Sequence, residues 1–151
     1  MRIEGADPPS APPGGGVYRL LDHTGDFALE AEAETPELAL AETARGLVAL
    51  VLGDVTLAER EHRELELEGF DVVDLLVAFG NELLFLFESE RFFPARVVVD
   101  VLEPDFLRAT LLGERLPKGH DVARPAKAVT HHDATFDVSA ERTHVRLVID
   151  L

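Results

Sequence analysis

The chain has no cysteine, so disulfides and thiolate metal sites are both unavailable. This excludes a secreted disulfide scaffold while fixing no compartment. Lysine is nearly missing too: Lys118 and Lys127 are the only two, and the other basic residues are arginines. Basic charge as a whole is short, with 14 Lys and Arg against 29 Asp and Glu and a formal net charge of -15. A body this acidic repels phosphate backbones, because non-specific nucleic-acid affinity comes from Lys and Arg displacing counterions. Direct, stable RNA or DNA binding is therefore not expected, and a role near nucleic acid would run through a protein partner. No apolar run approaches the roughly 20 residues of a membrane span. The first residues lack a cationic-then-apolar signal pattern. The expectation is a soluble, cytoplasmic protein. Nucleophile elbow, phosphate loop and zinc signature are also absent.

What is present suits one domain of 151 residues, long enough to bury a core. Residues 1–16 hold Pro8, Pro9, Pro12, Pro13 and the run Gly14-Gly15-Gly16, with little to bury, and read as a disordered tail. Val17 to Leu21 reads as a short strand. In Phe27 to Glu34, Phe27, Leu29, Ala31 and Ala33 alternate with glutamates, the period of a half-solvated strand. Thr35-Pro36 reads as an N-cap and first helical position. Leu40, Ala44, Leu47, Val48 and Val51 follow at helical spacing to a stop at Gly53-Asp54. Arg63 to Glu68 is a polar strand. Asp71 caps a second helix to about Glu88, apolar nearly all round and so expected at the centre of the domain. Arg96 to Leu102 and Phe106 to Leu112 flank Glu103-Pro104-Asp105 as a hairpin. Pro125 to His132 and Thr143 to Leu151 are the last strands. The fold class is α+β, with two main helices packed on a mostly antiparallel sheet and additional β-hairpin elements in the second half.

The chemistry-bearing groups are Asp22, His23, Asp26, Lys127, His131, His132, Asp133, Asp150 and the final carboxylate of Leu151. Leu21-Asp22-His23-Thr24-Gly25-Asp26 places carboxylates, an imidazole and a hydroxyl in one turn, where Gly25 is free to take a dihedral other residues resist. The same run also fits an Asx- or ST-turn with a polar histidine in it. Asp150 ends an apolar strand beside the final carboxylate, where two negative charges repel unless solvated or bridged by a cation. If Asp26 and Asp150 meet at one end of a sheet they form a hard-oxygen site for Mg²⁺, Mn²⁺ or Ca²⁺, with a nearby histidine favouring Mn²⁺ over Ca²⁺. Otherwise Asp150 is a solvated chain end. Lys127, Val129 and His131 would share one strand face, with Ala128, Thr130 and His132 on the other.

Four stretches in order carry a resemblance: Tyr18 to Asp26 (YRLLDHTGD), Asp74 to Glu88 (DLLVAFGNELLFLFE), Ala126 to His132 (AKAVTHH) and Leu147 to Leu151 (LVIDL). Together they resemble the archease family over residues 17–151. The resemblance implies a small α+β protein, not itself an enzyme, that activates an RtcB-type RNA ligase in tRNA splicing and RNA repair by promoting its guanylylation and turnover. By the same resemblance Asp26 and Asp150 are metal-site carboxylates, with His23 and Leu151 as further ligands. The cofactor is then a divalent ion (calcium, magnesium or manganese), and Lys127 orients a phosphate or a partner carboxylate. Gly25 stands where the family usually has alanine, and His131 where it has tyrosine. Two other classes stay open: a chaperone-like or tRNA-methyltransferase-assisting module, and a metal-dependent phosphohydrolase built on His23 and Asp26.

Overall fold

The computed structural model describes residues 16–151 apart from Thr24, and for His23 the backbone alone. Of the tail expected over residues 1–16, only Gly16 falls within the described residues; it is buried against the Glu42 carboxylate.

The elements run β1 (Val17–His23), β2 (Asp26–Ala33), α1 (Pro36–Leu52), β3 (Glu61–Glu68), α2 (Val72–Glu90), β4 (Phe92–Glu103), β5 (Phe106–Arg115), β6 (Ala128–Val138) and β7 (Thr143–Asp150). The fold is α+β, and its strands form two antiparallel sheets. One has the order β1-β2-β7-β6 and the other β3-β5-β4. The helices join them, α1 lying on β1, β2 and β7 of the first sheet and β4 of the second, and α2 on β6 and the second sheet.

Both helices begin where their caps dictate. Thr35 Oγ1 accepts from the Leu38 N–H at 3.1 Å ahead of α1, and Asp71 Oδ1 accepts from the Asp74 N–H at 2.9 Å ahead of α2. Each bond satisfies an amide that the first turn of a helix leaves without a partner. Leu40, Leu47, Leu50, Leu76, Phe79 and Leu83 are fully enclosed, and one continuous core fills the space between the sheets. The second helix is less central than its composition suggests. Phe85 is 59% exposed, because α2 has one flank that neither sheet covers.

Among the described residues one charged side chain is buried in the core region. Glu42 on α1 is buried, and Arg45 Nη1 donates to both its carboxylate oxygens at 2.6 and 3.0 Å. Burial pushes the Glu42 carboxyl above the usual carboxylate range, and the Arg45 guanidinium pulls against that shift. Arg45 also lies over the Tyr18 ring, 5.7 Å from its centroid, which ties α1 to β1.

Candidate functional site

Strand register assembles the outer face of the first sheet into four cross-strand rows. His23, Asp26, Asp150 and Ala128 form the first, and Leu21, Ala28, Val148 and Thr130 the second. Arg19, Glu30, Arg146 and Thr135 form the third, and Val17, Glu32, His144 and Asp137 the fourth. The alternation of β2 and β7 forces this layout. With Phe27, Leu29, Ala31, Ala33 and Val145, Leu147, Ile149 buried toward the helices, the intervening residues share the other face.

Asp26 and Asp150 therefore stand directly opposite one another, 124 positions apart in sequence. Asp26 is half-buried and Asp150 exposed. Opposed residues of antiparallel strands have Cβ atoms only about 5 Å apart, and like charges there are destabilising. In the third and fourth rows each glutamate has cationic partners. Glu30 takes Arg19 at 2.5 Å and Arg146 at 2.8 Å, and Glu32 takes Arg142 at 3.2 Å and His144 at 3.3 Å. Among the described residues no lysine, arginine or histidine pairs with the Asp150 carboxylate.

The β1–β2 turn that delivers Asp26 is a two-residue loop, since His23 pairs with Asp26 in the register. Gly25 sits there at φ +79°, the left-handed region that glycine enters without steric cost. Register places the His23 backbone beside Asp26, while Thr24 lies outside the described residues. Leu151 follows Asp150 directly and packs in part against the core. The Lys127 N–H donates to the Asp150 carbonyl at 2.8 Å, which fixes this exposed residue beside the carboxylate pair.

Strand β6 departs from the expected alternation, while β7 keeps it. Lys127 precedes β6 instead of lying in it, and the register slips between Thr130 and Thr135. His131, His132, Asp133 and Ala134 thus bulge out opposite β7, with Asp133 at φ +56°. His131 Nε2 lies 2.9 Å from Asp74 Oδ1 at the start of α2, the helix that Val129 also meets. His132 lies 3.2 Å from Asp133. Neither belongs to the row of Asp26 and Asp150.

Two positioning residues escaped the sequence reading. Asn81 on α2 donates to the Val129 carbonyl at 3.0 Å and accepts from the Val129 N–H at 2.8 Å, standing in for a further strand at the open edge of β6. Its signal was there to read: an amide inside an otherwise apolar helix must find partners. Arg124 stacks 4.6 Å over the Phe27 ring and donates to the Leu50 carbonyl at 3.1 Å. With the Ala123 N–H on the Val51 carbonyl at 2.8 Å, it anchors the segment before Lys127 to the C-terminus of α1. Substituting Asn81 by leucine leaves both Val129 backbone groups without partners. The expected cost is about 2–4 kcal/mol of stability, counting roughly 1–3 kcal/mol for each stranded group with partial relief by water. Denaturant midpoints and faster hydrogen exchange at the Val129 amide would register it.

No group of three or more His, Cys, Asp or Glu side chains able to hold a metal ion occurs among the described residues. The Asp26 and Asp150 pair nevertheless fits a hard divalent ion of the kind held by one or two carboxylates and completed by water or phosphate oxygens. The donor set suits that ion and no soft one. Among the described residues no helix is long and apolar enough to cross a membrane.

Residues 18–151 match the model of the Archease protein family (MTH1598/TM1083). The archease of Pyrococcus abyssi is 31% identical over 124 residues, covering 80% of this chain and 87% of the relative. The solution structure of protein 1598 from Methanobacterium thermoautotrophicum superposes with a TM-score of 0.75 at 26% identity, covering 89% of this chain and 98% of that one. A crystal structure from Thermotoga maritima, described as an archease and possible chaperone, has the same fold, with a TM-score of 0.59 at 23% identity and 87% of this chain and 94% of that one covered. Family model, relatives and fold coincide over nearly all the described residues, and the chain belongs to the archease family.

Proposed function

We propose that this protein is a metal-binding accessory factor, not itself an enzyme, that activates an RtcB-type RNA ligase in the cytoplasm, promoting its guanylylation and turnover in tRNA splicing and RNA repair. The observation that carries this reading is the direct cross-strand opposition of Asp26 and Asp150. Two carboxylates facing each other at the end of a sheet repel, and a divalent cation turns that repulsion into binding. In this reading Asp26 and Asp150 hold the ion, with His23 and Leu151 as further ligands. When bound, the ion neutralises phosphate charge at the ligase's nucleotide site. Lys127, fixed beside Asp150 by its backbone, orients a phosphate or a partner carboxylate. The net charge of -15 favours approach to a basic, nucleotide-binding enzyme and disfavours holding RNA directly.

The test is guanylylation of a purified RtcB-type ligase with GTP, with and without this protein, in metal-depleted buffer and after adding back Mg²⁺, Mn²⁺ or Ca²⁺. The expected result is faster guanylylation and multiple turnover that depend on the added ion. Identical rates with and without the protein in every buffer would end the proposal. The Thermotoga structure's description as a possible chaperone favours one other reading, a chaperone-like module. Its mark would be suppression of partner aggregation that survives alanine at both Asp26 and Asp150.

A further inference from the structure

We propose that Phe70 is the anchor by which this protein docks on its partner, entering an apolar socket rimmed by lysine or arginine. Phe70 is 97% exposed, the most exposed of the large apolar side chains among the described residues. Its backbone is nevertheless fixed on both sides. The Gly69 N–H donates to the Asp105 carbonyl at 3.1 Å, and the Phe70 N–H donates to Asp74 Oδ2 at 3.0 Å. Asp71 caps α2 immediately after it, and His131 from the β6 bulge holds the other Asp74 oxygen at 2.9 Å. The Asp74 carboxyl sits below the usual carboxylate range, chiefly because of His131 and then the Phe70 amide, so the brace stays charged.

A braced turn that presents a whole aromatic ring to water contributes nothing to its own core. Burying such a ring gives one of the larger apolar gains a single side chain offers. Aromatic residues are accordingly enriched in the buried centres of interfaces. The surroundings select the partner's charge. Glu68, Asp71, Asp74 and Asp105 flank the turn in sequence or by hydrogen bond, and Glu103 joins through the pairing of Phe106 with both Glu68 and Glu103. A symmetric contact between two copies would set these acids against themselves. A basic rim matches them.

The position suits the proposed activity, on which this inference rests. Strand β6 runs from Ala128, beside Asp150, to His131, on Asp74: three residues, or roughly 10 Å of strand. One interface of ordinary size, about 800 Å² on each partner, spans such a separation.

The experiment titrates purified RtcB-type ligase with wild-type chain and with Phe70→Ala, reading both direct binding and guanylylation, after melting curves confirm that the variant is folded. Phe70→Ala should weaken binding at least tenfold and raise the half-saturating concentration equally while leaving the maximal rate unchanged, with Phe70→Tyr close to wild type. Equal affinity for wild type and Phe70→Ala overturns the anchor. So does self-association of the wild type that Phe70→Ala abolishes, because the occupant is then a second copy. Binding that depends on Phe70 without any stimulation sinks the activation reading and keeps the anchor. Absence of wild-type binding removes both.

Discussion

Alanine at Asp26 or at Asp150 is expected to abolish stimulation of the ligase and to leave the protein folded. Asp150 is exposed and Asp26 half-buried at the end of paired strands, so truncating either removes no core packing. Taking away one of two like charges set directly opposite each other relieves repulsion, and for the exposed Asp150 stability should change by no more than about 0.5 kcal/mol. The loss falls on the ion instead. A two-carboxylate site keeps little affinity with one carboxylate, and in Asp26→Asn or Asp150→Asn the shape remains while the charge is gone. A second readout needs no partner. An ion at about 100 times its Kd stabilises the folded chain by about 2.7 kcal/mol, which for a chain of this length raises Tm by about 5–10 °C. That shift should appear for the wild type with Mn²⁺, Mg²⁺ or Ca²⁺ and vanish for all four variants. Normal stimulation by a folded alanine variant, or an equal metal-dependent Tm shift in wild type and variants, contradicts the assignment.

Much of what brings the two aspartates together was visible in the chain. The caps Thr35 and Asp71, the stop at Gly53 and the alternation from Phe27 onward are local signals, written by the hydrogen-bonding needs of helix ends and the two-residue period of a strand. They located α1, α2 and β2 within a few residues. What stayed hidden depends on contacts distant in sequence. The split into two sheets follows from β5 pairing with β3 and β4 while β7 pairs with β2 and β6, and periodicity does not encode which strand meets which. The bulge at His131 to Ala134 breaks the very alternation by which a strand is recognised, and Lys127, expected inside the strand, lies just ahead of it. Asn81 and Arg124 show a third kind of blindness. Each fastens a segment of the backbone near the site to a helix, and a sequence displays the polar group without its partner.

Gly113→Ala should be the most damaging alanine substitution among the described glycines, costing at least about 3 kcal/mol, the upper range for overpacking. Gly113 lies on β5, the central strand of its sheet, pinched between neighbours on both sides. Its carbonyl accepts the Arg60 N–H at 2.9 Å on the β3 side, and its Cα faces Pro94 where the β4 register shifts between Pro94 and Arg96. A Cβ built there would strike the Phe93 carbonyl oxygen, deep inside van der Waals contact, and lie 2.7 Å from Pro94 Cα. Both obstacles are backbone atoms, which cannot step aside as a side-chain tip can, and Pro94 further stiffens the segment. Relief requires β4 to part from β5, which would also loosen the buried Phe92 and Phe93. Gly119→Ala supplies the contrast. Gly119 has φ +88° and open space around its missing Cβ, so alanine there meets only the conformational penalty of the left-handed region, about 1–2 kcal/mol. Denaturant midpoints for the two variants separate steric exclusion from backbone preference. A cost for Gly113→Ala equal to or below that for Gly119→Ala would mean that β4 does not press on β5 as closely as the register requires.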